Sequence, residues 1–258
     1  VKRILFFIIA LTATVGMLQA AQFSTTERAE INAMIHDYLL QNPEILVQMS
    51  DKLQQQQFEQ IQKQALSAIK ANSQALFSPQ GTQVAGNPKG SVTLVEFFDY
   101  QCVHCANLHK EHIVEDLIRK NPELRVVYRE FPIFGAASNY AAKAAMAASL
   151  QGKYLEMRDA IFNLNEIEGS LKTADIDKAA EKTGLNMAQY RMSLKRDNQM
   201  FQNYVDVDYK LAKALGIQGT PAFIIAPTPQ TGSANGKTAF IPGLVGTEQL
   251  QQFINAAK

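Results

Sequence analysis

Charge of one sign in excess, cysteine and internal repetition are all scarce in this 258-residue chain. Basic residues number 25 and acidic ones 24, a formal charge of +1. So balanced a surface argues against nucleic acid or anionic lipid as a partner. No fixed period recurs, which excludes solenoid and propeller architectures. Only two cysteines are present, Cys102 and Cys105. They can form one disulfide but no disulfide network, and covalent haem attachment is excluded because Ala106 stands where that motif needs histidine.

Both cysteines sit in one stretch that organises the rest. Residues 92–98 form a short run rich in β-branched and aromatic side chains, as a buried strand requires, and residues 106–120 carry Leu108, Ile113, Leu117 and Ile118 at helical spacing. Cys102 therefore falls near a helix N-terminus. Unpaired N–H groups and the helix dipole favour an anion there, so its thiol is expected to ionise below the free value of about 8.5 and act as a nucleophile. Cys105, one turn on, can close a disulfide with it. Three readings follow: a static structural disulfide or chance proximity, a metal site, or redox chemistry. The metal set would be Cys105, His109 and His112 on one helix face with Cys102 as fourth ligand. Redox chemistry is favoured, and no metal is assigned to the cysteines.

The run Glu96-Phe97-Phe98-Asp99-Tyr100-Gln101-Cys102-Val103-His104-Cys105, followed downstream by Gly219-Thr220-Pro221-Ala222-Phe223, resembles the DsbA-like branch of the thioredoxin superfamily. The resemblance covers residues 76–258. It implies a thioredoxin-like α/β fold, a redox-active Cys102–Cys105 disulfide, and a cis bond before Pro221 with Thr220 presenting backbone groups to a bound peptide. Val103 departs from the family, whose best-known oxidases have proline there. The resemblance implies thiol:disulfide oxidoreductase and isomerase activity without a cofactor.

The chain opens with Lys2 and Arg3, an apolar run over residues 4–18, and small residues at Ala20 and Ala21. This pattern reads as a secretory signal over residues 1–20, an uncleaved anchor being the alternative. Removing Lys2 and Arg3 from the +1 total leaves about −1 for the mature chain. Export points to a periplasm or a surface-associated location, where disulfides persist.

Residues 21–75 read as a separate all-α region. Ser24 and Glu27 make a capping box before Ile31, Met34, Ile35, Tyr38 and Leu39; Asn42 and Pro43 open a second helix bearing Ile45, Leu46, Met49 and Leu53. After the glutamine run at 54–57 the apolar spacing resumes in a shifted phase at Phe58, Ile61, Ala65 and Ile69. Helices this few cannot bury their own stripes, so a partner surface is implied and a homodimer expected. Residues 38–46 also resemble the N-terminal oligomerisation segment of ScsC-type proteins.

The fold class is thus α/β: thioredoxin-like with a helical insertion over about 136–204, plus a small N-terminal all-α dimerisation region. Strands are expected at 92–98, 124–130, 222–226 and 237–241, and a last helix from Thr247 through Ile254. A substrate thiolate would attack an exposed Cys102 sulfur, with Cys105 as the escape thiol and His104 stabilising the Cys102 thiolate. Glu96 lies on an otherwise apolar strand, where a carboxylate is costly without water, a partner or a proton to exchange. The resemblance makes it the buried acid that shuttles a proton to Cys105; a salt bridge to a lysine is the alternative. Asp99 reads as a turn residue. Partners would be exported proteins with free or mispaired cysteines and a DsbB-like or DsbD-like membrane redox protein. The competing functions are an exported copper- or zinc-binding protein and a dimeric holdase.

Overall fold

The computed structural model describes residues 23–78, 83–164, 168–229 and 237–258. The signal segment expected at 1–20 and most of the connection expected at 227–236 lie outside the described residues. No helix among those described is long and apolar enough to cross a membrane.

Two compact units divide between Gln56 and Gln57. The first holds α1 (Thr25–Gln41) and the start of α2 (Glu44–Ala71). The Ser24 hydroxyl accepts from the Glu27 N–H at 3.2 Å and the Glu27 carboxylate accepts from the Ser24 N–H at 2.8 Å, closing the capping box. Asn42 does not cap α2. Its side-chain amide turns back to the Tyr38 carbonyl at 2.8 Å and caps the end of α1 instead. No residue of α1 is buried, and Met34, Ile35, Tyr38, Leu46, Met49 and Leu53 are all exposed.

The second unit begins within α2, where the apolar phase shifts. Ala65 and Ile69 of α2 are buried, as are Leu76 and Phe77 of α3 (Ser73–Phe77). They belong to the core of the sheet domain rather than to the N-terminal helices. The sheet has five strands in the order β1 (Val84–Gly86), β3 (Leu124–Glu130), β2 (Val92–Phe98), β4 (Ala222–Pro227) and β5 (Ala239–Ile241). β2 and β3 run parallel; the other pairings are antiparallel. Alternation along β2 sends Leu94 and Phe98 into one core and Val95 and Phe97 into the other, so both faces of the strand are covered.

The stretch expected as one helix over 106–120 is two, α4 (Val103–Lys110) and α5 (Ile113–Lys120). In an unbroken helix Val114, nine residues after Cys105, would face the opposite side at 100° per residue. A break at His112, whose φ of 52° is the only positive one among described non-glycine residues, turns Val114 and Leu117 back into the core. Between β3 and β4 come α6 (Ala136–Ser149), α7 (Tyr154–Phe162), α8 (Thr173–Glu181), α9 (Met187–Arg196) and α10 (Asn198–Ala214); α11 (Thr247–Ala256) closes the chain. Alanine-rich α6 packs closely against α7, α8, α9 and α10 because its small side chains let backbones approach.

A candidate redox-active site

β2 hands the chain to α4 through a turn in which the side chains of Asp99, Tyr100 and Gln101 are all hydrogen-bonded. The Asp99 carboxylate accepts the Gln101 N–H at 2.7 Å, the Ser138 hydroxyl at 2.6 Å and the Phe134 N–H at 3.0 Å. Gln101 in turn donates to the Phe134 carbonyl and accepts from the N–H groups of Gly169 and Leu171. Asp99 is the turn residue expected from the sequence, and it also ties the cysteine turn to the helical insertion. Such a satisfied buried network holds the turn rigidly.

Cys102 is the N-cap of α4. It is not the exposed sulfur expected: the residue is 4% exposed and Cys105 is fully buried, both as free thiols. The Cys102 thiol donates to the carbonyl of Thr220 at 3.2 Å, and the bond from Thr220 to Pro221 is cis. Contact with that carbonyl favours the protonated form. It is outweighed: the Cys105 thiol first, then the Thr220 side chain and the N–H groups of Cys105 and His104, support the anion against the cost of burial, and Cys102 falls from 9 to about 6. The Thr220 hydroxyl is itself buried without a bond of normal geometry, so it acts here by proximity rather than as a formed hydrogen bond. Cys105 goes the other way, pushed well up by burial, then by the neighbouring Cys102 and Glu96 charges. Two thiols one helical turn apart thus differ sharply in acidity.

Glu96 lies on the Leu94 and Phe98 side of β2 and is 0% exposed. Burial raises its pKa, opposed chiefly by Arg158. Arg158 Nη2 stands 3.5 Å from Glu96 Oε2, while Oε1 has no hydrogen-bond partner among the described residues. The guanidinium is also buried, 4.1 Å from the Tyr128 ring centre, 4.9 Å from that of Phe162 and 5.1 Å from that of Phe98. Aromatic faces compensate a buried cation that a single long ion pair would leave poorly solvated. Its other side meets His109 Nδ1 at 3.5 Å. Burial, then Arg158, lowers His109 to about 4.

A thioredoxin family model matches residues 77–235, most of the sheet domain. The chain belongs to the thioredoxin family. The Copper resistance protein ScsC N-terminal domain matches residues 27–60, so both parts of the resemblance carried by the sequence are met. Among solved structures, BcfH of Salmonella enterica Typhimurium is 27% identical with a TM-score of 0.75, covering 90% of this chain and 96% of that one. A thioredoxin-like oxidoreductase from Silicibacter pomeroyi is 34% identical with a TM-score of 0.58, covering 70% of this chain and 94% of the other. The thiol-disulfide exchange protein alpha-DsbA2 from Wolbachia pipientis shares the fold at 23% identity and a TM-score of 0.63, covering 74% of this chain and 94% of its own. The chain spans about a quarter of the length of the curated relatives it matches: a Na(+)/H(+) antiporter of Salinispora arenicola is 30% identical over 159 residues, 61% of this chain and 23% of that protein.

Within this thioredoxin-family site, Cys102, Cys105, Thr220 and Pro221 come together, and Glu96 is buried near enough to act on the Cys105 charge. His104 is exposed, and it is its backbone N–H that supports the Cys102 sulfur. The partner of Glu96 is Arg158, not a lysine. Arg158 escaped the sequence reading although a signal was present: Tyr154, Met157, Arg158, Ile161 and Phe162 all lie on the buried face of α7, so a guanidinium occupies a core position of an amphipathic stripe.

Proposed function

We propose that the chain is an exported thiol:disulfide oxidoreductase that introduces and isomerises disulfides in folding proteins through Cys102 and Cys105. The single observation that carries this reading is Cys102 at the N-cap of α4 with its sulfur 3.2 Å from the Thr220 carbonyl at the cis Thr220–Pro221 bond, and Cys105 buried one turn on. A substrate thiolate attacks Sγ of Cys102 in the Cys102–Cys105 disulfide; the S–S bond breaks and Cys105 leaves with the electron pair. Its high proton affinity makes it take up a proton at once, and Glu96, whose own pKa is raised by burial, is placed to supply it. A second substrate thiolate then attacks the substrate sulfur of the mixed disulfide and expels Cys102, a good leaving group because its thiolate is stable. Two electrons have passed from substrate to enzyme, and a membrane redox protein removes them. Run backwards, with Cys105 attacking the mixed disulfide, the same steps release a mispaired client.

The N-terminal unit supports self-association. Its apolar side chains are exposed on both helices, and its sequence matches the ScsC N-terminal domain. A homodimer or larger assembly would cover these faces and present two or more redox sites to one client, which favours shuffling over simple donation. The basic, apolar start of the chain supports export to a periplasm or cell surface.

Oxidative refolding of reduced ribonuclease, with acid-quenched intermediates resolved by mass, tests the chemistry. Cys102→Ser is expected to abolish turnover, Cys105→Ser to accumulate the mixed disulfide on Cys102, and Glu96→Gln to slow formation of that intermediate in oxidation by roughly tenfold or more, because the departing Cys105 sulfur then lacks its proton donor. Retained turnover in Cys102→Ser would sink the assignment.

A further inference from the structure

Among the described residues, one group of potential metal donors lies outside the cysteine pair. His109 on α4, Glu115 on α5 and Asp159 on α7 each bring one donor atom within 4.8 Å of the other two, with His109 Nδ1 3.8 Å from Asp159 Oδ1. The ring of His112 follows at 6.4 Å from that of His109, placed there by the left-handed turn between the two helices. Glu115 Oε2 is buried and has no hydrogen-bond partner among the described residues. The sequence singled out His109 and His112 as donors together with the two cysteines. The fold separates those sets: Cys105 is directed to Cys102, while the carboxylates of Glu115 and Asp159 converge on the His109 imidazole.

We propose that His109, Glu115 and Asp159, with His112 as fourth donor, bind one divalent cation of the zinc class at a site distinct from the redox pair. Imidazole nitrogen and carboxylate oxygen are donors that Zn²⁺ accepts in four-coordinate geometry, and the set contains no thiolate. Ligand atoms in such a site lie roughly 3.3 Å apart, so separations of up to 4.8 Å call for the carboxylate arms to close by up to about 1.5 Å. They have the freedom to do so. Asp159 is 51% exposed and Glu115 is partly exposed, whereas the His109 ring is fixed by stacking on Phe162 at 5.0 Å. Fixed imidazole and adjustable carboxylates are what a site needs in order to close on an ion.

The objection is Arg158, whose Nη1 lies 3.5 Å from His109 Nδ1. The same Nη1 stands 3.9 Å from Asp159 Oδ1, a long ion pair that a metal would have to replace, while Nη2 faces Glu96 and the guanidinium lies against three aromatic rings. Glu115 and Asp159 bring two carboxylates to a cluster whose one nearby guanidinium is also shared with Glu96, so its formal charge is net negative. A bound ion would give Glu115 Oε2 a partner and would sit next to the arginine that contacts Glu96.

The test uses the full chain carrying Cys102→Ser and Cys105→Ser, which makes the outcome independent of the redox reading. Titration calorimetry with zinc chloride is expected to show one equivalent bound per chain. Asp159→Asn and Glu115→Gln, both at partly exposed positions that keep the fold, are each expected to weaken binding at least tenfold, and His112→Ala by several-fold. Cobalt(II) is expected to give visible d–d bands without sulfur-to-metal charge transfer, in the cysteine-free and the natural chain alike. A cysteine-free chain that binds no zinc, carboxylate variants that bind as before, or strong sulfur charge transfer in the natural chain would overturn the proposal. An affinity unmoved by His112→Ala would overturn the four-donor set.

Discussion

Replacing Cys105 by alanine probes the acidity difference on which the redox chemistry depends. With Cys102 at about 6, some nine-tenths of its sulfur is thiolate at pH 7, against about one-hundredth for a thiol at 9. Linkage fixes the sign. A folded pKa below the unfolded one stabilises the reduced protein fully above the unfolded value, and this contribution is lost as pH falls through 6. At pH 7 the ratio of partition functions is about eleven, or ~1.4 kcal/mol in favour of the reduced form. Although the residue is only 4% exposed, solvent at the head of α4 screens the sulfur in part, which reduces this to about 1 kcal/mol. Because the disulfide form carries no such term, the pair is expected to be more oxidising by about 20–30 mV than one with an unperturbed thiol. Burial and four sets of donors compete at this sulfur, and the Cys105 thiol is the largest favourable one. Losing a hydrogen bond to a charged group costs about 1.5–3 kcal/mol, so Cys105→Ala is expected to raise the Cys102 midpoint by about one to two units. Thiolate absorbance at 240 nm and the pH dependence of iodoacetamide alkylation both measure it. An unchanged midpoint would show that the helix N–H groups alone hold the anion; faster labelling of Cys105 than of Cys102 in the natural protein would refute the assignment of roles.

Three further outcomes follow from buried groups. Arg158→Leu leaves Glu96 buried beside no cation and is expected to cost about 3–5 kcal/mol in urea unfolding, much of which returns when Glu96→Gln is added; a small, additive pair of effects would show that the pair is not coupled. Glu130, raised to about 8 by burial ahead of hydrogen bonds from Tyr154 and Tyr100, holds a proton that the unfolded chain releases near 4.5. Stability is therefore expected to fall as pH rises from about 5 to 8, and Glu130→Gln to flatten that slope in thermal melts. A chain beginning at Gln57 is expected to sediment as a folded monomer, whereas one beginning at Ser78 loses Ala65, Ile69, Leu76 and Phe77 from the core and the Ala75 and Leu76 carbonyls that Arg129 binds, and is expected to unfold at markedly lower urea. Equal midpoints for the two would refute that account of the core.

What the sequence determined by itself is the local part of the structure. Residues 92–98 and 124–130 are strands over those bounds because a run of β-branched and aromatic side chains buried on both faces has a period that no surface helix shares. The capping box of α1, the terminal helix from Thr247 and the position of Cys102 at a helix start were legible for the same reason: each depends on residues within one or two turns of one another. Tertiary structure decided the rest. β1 is three residues long and exists through its pairing with β3, about 40 residues away, which no local propensity encodes. The break at His112 comes from the need to turn Val114 toward a core whose direction the segment cannot know. Arg158 reaches Glu96 across 62 residues, and Asp159 reaches His109 only once α7 has docked on α4. The acidity of Cys102 rests on both kinds of cause. Its place at the N-terminus of α4 is local, but the burial that opposes the anion and the Thr220 contact come from a strand end 118 residues away, which only the closed sheet brings to the sulfur.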